Sequence, residues 1–137
     1  MDIKLSHCFV IVDDQDKALA FYRDALGLEI KTDAEMPPFR WLTLGAPGQP
    51  SPEVVLALPS MGHGPEETAA LEALLAKGAL PGPIFFTSEL DALFERVRAT
   101  GAEVLQEPID QPYGVRDCAF RDPAGNHVRF SGPLPSA

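Results

Sequence analysis

The chain has 137 residues, 45% of them hydrophobic and 23% charged, which excludes wholesale disorder and fits one domain with its own core. Its apolar runs are too short to span a membrane, and its net charge of -9 repels phosphate backbones. Membranes and nucleic acids are therefore not expected as partners, whereas cationic small molecules would be attracted. Cys8 and Cys118 lie inside apolar runs, and no export leader precedes the first strand-like stretch. These features predict buried free thiols and a cytoplasmic location.

The first half of the chain predicts one strand, one helix and three further strands. The β-branched and aromatic run at 5–12 is typical of a strand, and the carboxylates of Asp13 and Asp14 suit a helix start. Apolar residues at helical spacing then predict a helix over 16–27, which ends at a glycine. Three short strands follow, separated by turns rich in proline and glycine, at residues 28–31, 39–44 and 54–58.

The second half repeats this order after a segment of different composition. Residues 60–81 are a predicted linker that carries a short helix at 65–77. Ser88 then suits the cap of another helix at 91–101. Four strands belong to this half, at residues 84–87, 102–105, 115–121 and 126–131. The predicted organisation is one domain in four parts, namely module one (1–59), the linker (60–81), module two (82–132) and a short tail (133–137). Two copies of β-α-β-β-β predict an α+β domain with internal pseudo-twofold symmetry.

Two motifs within this repeat resemble those of a known family. The sequence FYRDALGL occupies residues 21–28 behind the first strand, and DPAGN occupies residues 122–126 before the last strand. Together with the repeat, they make the chain similar to the vicinal oxygen chelate superfamily, which includes glyoxalase I, bleomycin resistance proteins and extradiol dioxygenases. The resemblance covers residues 4–132. It implies two tandem βαβββ modules that form a half-open mixed β-barrel with flanking helices, a ligand in the open groove, and a homodimer.

The resemblance also implies four positions for metal ligands, of which this chain fills few. The first falls on His7, which can ligate a metal. The second and third fall on residues without a donor side chain, namely Leu56 or Ala57 and Pro83 or Gly82. The fourth falls on Arg129, whose guanidinium stays protonated and offers only N–H donors. No metal and no other cofactor are therefore expected. A rearranged metal site around His7 and His127, with Glu53 or Asp117 nearby, is the alternative.

Strand alternation predicts a groove suited to a small organic ligand. Its lining mixes aromatic, aliphatic and polar side chains, which are His7, Phe39, Trp41, Leu56, Tyr113, His127 and Arg129. Trp41 either stacks on a planar ligand or fills the core, and Tyr113 either overhangs the groove or is a solvated turn residue. Arg129 either pairs with a ligand carboxylate or phosphate, or forms an internal ion pair with Glu53 or Asp117.

These features favour a small-molecule-binding protein that holds a hydrophobic or aromatic ligand without a metal, a function that would suit antibiotic sequestration. The alternative is an enzyme, either a lyase, an isomerase or a dioxygenase-like protein. Its catalytic candidates are His7 and His127, acting through a rearranged metal site or as an acid and a base. A third alternative is a subunit interaction module whose groove holds no ligand. The sequence leaves open whether a reaction is catalysed.

Overall fold

The computed structural model describes residues 1–135, which include two four-stranded sheets flanked by helices. Module one contains four strands and a helix that continues as a π-helical segment: β1 (His7–Ile11), α1 (Gln15–Leu19), the π-helical segment (Ala20–Ala25), β2 (Glu29–Met36), β3 (Phe39–Gly45) and β4 (Glu53–Ala57). The linker contains α2 (Pro65–Ala76). Module two contains β5 (Pro81–Phe86), α3 (Leu90–Arg98), β6 (Val104–Asp110), β7 (Val115–Arg121) and β8 (His127–Pro133). The end of the predicted tail, residues 136 and 137, lies outside the described residues.

Both sheets have the same topology, which confirms the predicted α+β class and its two repeated modules. The strand orders are β1-β4-β3-β2 and β5-β8-β7-β6. In each sheet the first and last strands of the module pair in parallel, and the other neighbours pair antiparallel. Among residues 1–135 the half-open arrangement therefore consists of two open mixed sheets, and no closed barrel is formed. In the same range, none of the helices has the length and apolar character needed to cross a membrane.

The edge strands β2 and β6 are longer than the sequence predicts. The predicted strands at 28–31 and 102–105 end early, whereas β2 continues to Met36 and β6 to Asp110. An edge strand is hydrogen-bonded on one side only, so it tolerates register shifts and prolines such as Pro108. Both strands contain register shifts. These irregularities interrupt the alternation by which a strand is recognised in a sequence.

A buried polar cluster joins the two modules, and the two family-like motifs supply its side chains. The Tyr22 hydroxyl donates to Asp122 Oδ2 at 2.7 Å, and Asn126 Nδ2 donates to the same oxygen at 3.0 Å. Asn126 Nδ2 also donates to the carbonyl oxygen of Ile11 in β1 at 2.7 Å. Burial, and then the Asp122 carboxylate, raise the pKa of Tyr22 well above its ordinary value, so the phenol keeps its proton. The motifs therefore stabilise the contact between the modules.

The two predicted helix caps have different outcomes. Asp14 caps α1, because its Oδ1 accepts from the backbone N–H of Lys17 at 3.0 Å. The prediction that Ser88 caps α3 is wrong, since the cap position is Glu89. The backbone N–H of Glu89 donates to Thr87 Oγ1 at 3.1 Å. The helix begins only at Leu90, so Ser88 lies before the position from which a side chain caps the first turn.

The prediction of two buried thiols is correct for one cysteine and wrong for the other. Cys118 is buried in β7, where burial, and then the nearby charge of Asp117, raise the pKa of its thiol to about 11. Cys8 is exposed. It lies on the same face of β1 as Val10, but the buried core on that face begins only at Val10.

Candidate functional site

Each sheet has one face covered by helices and one open face, called the inner face below. The covered face of module one carries buried core residues, among them Val10, Leu42 and Leu56. Because side chains alternate along a strand, the neighbouring Phe9 and Trp41 lie on the inner face. In module two the covered face carries Val128 and Phe130. Arg129, which lies between them in the sequence, is therefore on the inner face.

The prediction that Leu56 lines the groove is wrong. Leu56 is fully buried in the core on the covered face of β4. Its neighbours Val55 and Ala57 pair with Phe9 and Ile11 of β1 and share their inner face. Residues 54–58 are all apolar, so the sequence does not show which alternate residues of this strand face the core and which face the open side. Ala57 is thus the inner-face residue at the second implied metal position, and it has no donor atom.

The inner face of module one carries three rings that contact one another, called the aromatic wall below: His7, Phe9 and Trp41. The Trp41 ring centroid lies 6.1 Å from that of His7 and 6.2 Å from that of Phe9, the latter in an edge-to-face arrangement. Phe9 is 61% exposed. Phe39 lies at the start of β3, two residues before Trp41 and on the same face of that strand. Three of the predicted lining residues are therefore on one inner face.

A polar group adjoins the aromatic wall. His7 Nε2 lies 3.8 Å from Glu53 Oε1, in the register position that pairs β1 with β4. The same Glu53 oxygen accepts a hydrogen bond from the Thr43 hydroxyl at 2.7 Å. His7 Nδ1 lies 3.0 Å from Ser6 Oγ. These contacts orient the imidazole of His7 beside a carboxylate, which is an arrangement that can hold or move a proton.

Module two has a different inner face, centred on the buried carboxylate of Asp117 in β7. Asp117 Oδ1 accepts from Gln106 Nε2 at 2.7 Å and from Gln111 Nε2 at 2.9 Å. Its Oδ2 lies 3.2 Å from Arg129 Nη1 and accepts from the Tyr113 hydroxyl at 3.3 Å. Burial alone would raise the pKa of Asp117, but these hydrogen bonds and the charge of Arg129 lower it. The carboxylate therefore stays ionised at neutral pH, and both of its oxygens have partners within the protein.

Arg129 forms the internal ion pair that was one of its two predicted roles. Besides Asp117, Nη1 contacts Gln106 Oε1 at 3.1 Å, and Nη2 lies 3.3 Å from His127 Nε2. His127 and Arg129 thus share one face, as alternation predicts. The hydrogen bonds and ion pair of His7 involve module-one residues, so the structure does not bring His7 and His127 together.

Tyr113 is held at the inner face of module two, and two neighbouring glutamines were not predicted. The Tyr113 ring is largely exposed, and its hydroxyl is tied to Asp117. Gln106 and Gln111 were missed because the predicted strand ends at residue 105, which leaves both outside any alternating pattern. The sequence signal available for this network was Asp117 itself, a carboxylate directly before the apolar run at 118–120.

The inner faces do not supply a metal centre of the implied kind. Within residues 1–135 no group of three or more His, Cys, Asp or Glu side chains could hold an ion. Of the implied positions only His7 carries a donor, since Ala57 and Pro83 have none and Arg129 is a cation. His7 and Glu53 together provide two donors, fewer than the roughly three protein ligands of a catalytic zinc site. The donor set does not fit the group, and the metal-free state stays a prediction.

Two cavities border the inner faces. One of about 400 Å³ lies between β1 and β5 and is lined by residues that include Phe9, Glu53 and Ile84. Another of about 420 Å³ is lined by residues 78–84, His127 and Arg129. At Gly82 a Cβ would overlap the carbonyl oxygen of His127, so glycine permits the close approach of β5 to β8. Both volumes suit a small molecule.

A third cavity, of about 500 Å³, lies between the π-helical segment and the β7–β8 turn. Its lining comes from residues 20–21, 100–103 and 121–125. It therefore contains none of the predicted site residues. Of the predicted site residues, His127 and Arg129 line the cavity of about 420 Å³, and Phe9 of the aromatic wall lines the one of about 400 Å³. The two share residues 81–84 of β5, and together with the aromatic wall they define the candidate site.

The fold and this site define a class of protein with two βαβββ modules whose open inner faces, in the described residues, carry few metal-ligating side chains. The family model of the Glyoxalase/Bleomycin resistance protein/Dioxygenase superfamily matches residues 4–130. The chain therefore belongs to this superfamily, which confirms the resemblance seen in the sequence.

Individual relatives are similar over nearly their whole length. The uncharacterized protein YurT of Bacillus subtilis (strain 168) is 31% identical over 124 residues, which cover 88% of this chain and 92% of YurT. The crystal structure of UcmS2 is similar with a TM-score of 0.86 and 36% identity, covering 96% of this chain and 98% of UcmS2. TnmS3, an antibiotic binding protein from Streptomyces sp. CB03234, has a TM-score of 0.77 and 28% identity, covering 98% of this chain and 99% of TnmS3.

Proposed function

We propose that this chain is a metal-free binding protein that holds a hydrophobic or aromatic small molecule, as in antibiotic sequestration. The observation that carries the proposal is the aromatic wall, where rings that a core would normally bury face the open side of the sheet. A flat ligand laid on Trp41 and Phe9 would remove this apolar surface from water. The similarity to TnmS3, an antibiotic binding protein, supports the same reading.

The first experiment measures binding directly. Because Trp41 is the single tryptophan of the chain, its fluorescence reports on the aromatic wall. We expect fluorene, an uncharged planar probe, to bind in equilibrium dialysis, and bleomycin, a cationic antibiotic, to change Trp41 emission. Phe9→Ala and Trp41→Leu should each weaken fluorene binding about tenfold through the lost ring contacts. Leu74→Ala, which shortens an exposed apolar side chain on α2, is the matched control and should leave binding unchanged.

The metal-free part of the proposal has its own measurement. Elemental analysis of protein purified without chelators should find no stoichiometric divalent ion, and a chelator should not change fluorene binding. One bound ion per chain would contradict this part. Failure of both fluorene and bleomycin to bind the wild-type protein would contradict the binding function itself.

We also propose a homodimer. Ile84 and Phe86 of β5 are 69% and 74% exposed on the inner face of module two, more apolar surface than an isolated chain favours. A second copy of the chain would cover it. Sedimentation should give a dimer for the wild-type protein and a monomer for Phe86→Lys, and a wild-type monomer would contradict the proposal.

We place the protein in the cytoplasm, because an exposed free thiol such as Cys8 persists best in a reducing compartment. Cell fractionation tests the location.

The second candidate function is an enzyme, and the contact between His7 and Glu53 favours it. In this role His7 would take a proton from a bound substrate, and Glu53, held by Thr43, would stabilise the resulting imidazolium. The activity would then follow the protonation of a histidine across pH and be lost in His7→Ala. If His7→Ala leaves any measured turnover unchanged, this candidate is excluded.

A further inference from the structure

Arg129 has more N–H donors than the protein uses. A guanidinium carries five such donors. Nη1 is engaged by Gln106 Oε1 and Asp117 Oδ2, and Nη2 by His127 Nε2. The N–H of Nε and one N–H of Nη2 are left without an acceptor in the part of the chain that the structure describes. Arg129 lies on the inner face of module two, and its side chain is 28% exposed.

His127 accepts from Arg129 and so helps to fix the direction of the guanidinium. Arg129 is permanently protonated, so the 3.3 Å contact requires His127 Nε2 to accept. Burial, and then the charges of Arg129 and Arg121, lower the pKa of His127, which is therefore neutral at pH 7. A neutral imidazole that accepts at Nε2 carries its proton on Nδ1. Because the two ring nitrogens point in different directions, that N–H points away from Arg129, and His127 acts on the guanidinium as an acceptor.

The charges at this place cancel, which restricts the ligand that fits. Asp117 neutralises Arg129, and besides this ion pair its two oxygens accept hydrogen bonds from three side chains. An anionic ligand would be repelled by the Asp117 carboxylate and by the net charge of -9. The charge of Arg129 therefore adds little to the affinity for an anion. An uncharged oxygen acceptor satisfies the free donors and leaves no charge unpaired.

The neighbouring cavity has the size and the walls for such a ligand. It measures about 420 Å³ and is bounded by Arg129, His127 and residues 78–84. Pro81 and Pro83 in that segment have no backbone N–H, so this wall offers apolar surface at those positions. The free N–H groups of Arg129 therefore supply directional contacts beside an apolar wall.

We propose that the free N–H groups of Arg129 bind an uncharged carbonyl oxygen of the aromatic ligand. Asp117, Gln106 and His127 position the guanidinium for this contact. The inference rests on the proposed binding function and deepens it. Module two then selects ligands by their oxygen atoms, whereas the aromatic wall of module one contributes apolar contact. Arg129 is a specificity residue in this arrangement.

Three matched tricyclic probes test the proposal: fluorene, 9-fluorenone with a ring carbonyl, and fluorene-9-carboxylate with a negative charge. In equilibrium dialysis we expect wild-type protein to bind 9-fluorenone about tenfold more tightly than fluorene, as one well-formed hydrogen bond allows. Fluorene-9-carboxylate should bind no more tightly than 9-fluorenone. The double variant Asp117→Asn/Arg129→Gln, which removes the ion pair as a unit, should bring the ratio of the 9-fluorenone and fluorene affinities close to one.

Two further variants make the result unambiguous. Arg129→Lys keeps a charge for Asp117 but lacks the planar fork, so it tests the contact even if the double variant fails to fold, and it should lose most of the preference. Asp110→Asn/Arg116→Gln removes an exposed ion pair elsewhere on β6 and β7 and should keep the full preference.

The outcomes separate this inference from the proposed function. Equal wild-type affinity for fluorene and 9-fluorenone overturns the carbonyl contact and leaves the aromatic binding function standing. Tightest binding of fluorene-9-carboxylate overturns it in favour of an anion site. An unchanged carbonyl preference in Arg129→Lys and in the double variant overturns the role of Arg129. Binding of none of the three probes overturns this inference, and it overturns the proposed function as well if bleomycin also fails to bind.

Discussion

Modules one and two have the same strand order, but their inner faces carry different chemistry. Module one presents an aromatic wall with a long contact between His7 and Glu53, whereas module two presents a hydrogen-bonded network around a buried carboxylate. The ion pairs show the contrast most directly. The side chains of His7 and Glu53 are 37% and 20% exposed, and those of Arg129 and Asp117 are 28% and 2% exposed.

The contrast shows how one repeated unit acquires two functions. The covered face of each sheet keeps apolar residues because it must pack against a helix. The inner face has no such requirement, so residues at alternate strand positions can change without disturbing the fold. A pocket built from two such faces can combine apolar contact from one module with polar selection from the other.

The largest expected effect comes from breaking the contact between the modules. Asp122→Ala removes the acceptor for the Tyr22 hydroxyl and for Asn126 Nδ2, which leaves buried donors unpaired. We expect the free energy of unfolding, measured with urea, to fall by about 3 kcal/mol or more. Tyr22→Phe, which removes one donor and leaves the carboxylate, should cost about 1 kcal/mol. A loss below about 1 kcal/mol in Asp122→Ala would show that this cluster does not stabilise the contact.

Adjacent residues of β1 test the assignment of the two faces. Val10 is 4% exposed in the core, so Val10→Ala should lower the free energy of unfolding by about 2 kcal/mol. Phe9→Ala should change it by less than about 0.5 kcal/mol, because the ring is mostly exposed. Fluorene binding should be weakened more by Phe9→Ala than by Val10→Ala. A large stability loss in Phe9→Ala together with a small one in Val10→Ala would reverse the faces.

The fold was predictable because its signals are local and repeated. Asp14 at the start of α1, Gly27 behind the π-helical segment and the turn at 122–125 all lie where turn and cap chemistry places them. The extended edge strands were not predictable, since bulges and Pro108 interrupt their pattern. Their pairing depends on neighbours that are distant in the sequence.

The candidate site was less predictable than the fold. Alternation placed His127 with Arg129, and His7 with Phe9, on one face. It could not assign Leu56 to a face, because in an entirely apolar strand the residues of the two faces look alike in the sequence. The partners of Arg129 could be narrowed to two carboxylates, and the choice of Asp117 over Glu53 depends on which strands become neighbours, which a single sequence does not specify.

The network of module two should respond to acid. At neutral pH we expect Asp117→Asn to lower the free energy of unfolding by about 2 kcal/mol, because donors converge on the lost carboxylate. The pKa of Asp117 is lowered on folding, so its contribution is present above the unfolded value near 4. It is lost as the pH falls through the lower folded value.

The measurement for this prediction is the difference between wild type and Asp117→Asn in urea unfolding from pH 7 to pH 2.5. The difference should stay constant down to about pH 5 and shrink below about pH 4. Asp110→Asn, whose carboxylate belongs to an exposed pair with Arg116, is the control. Its free energy of unfolding should stay within about 0.5 kcal/mol of the wild-type value across this pH range. A difference that grows on acidification would mean that folding raises the pKa of Asp117.

The smallest expected effect concerns the ion pair of module one. A double-mutant cycle with His7→Gln and Glu53→Gln should give a coupling energy below about 0.5 kcal/mol, since the atoms are 3.8 Å apart and partly solvated. The matching cycle with Arg129→Gln and Asp117→Asn should exceed about 1 kcal/mol, because Asp117 is buried. Equal couplings would remove the distinction between the two inner faces. A strong coupling in module one alone would instead point to His7 and Glu53 as the preorganised pair, and would favour the catalytic candidate over the binding protein.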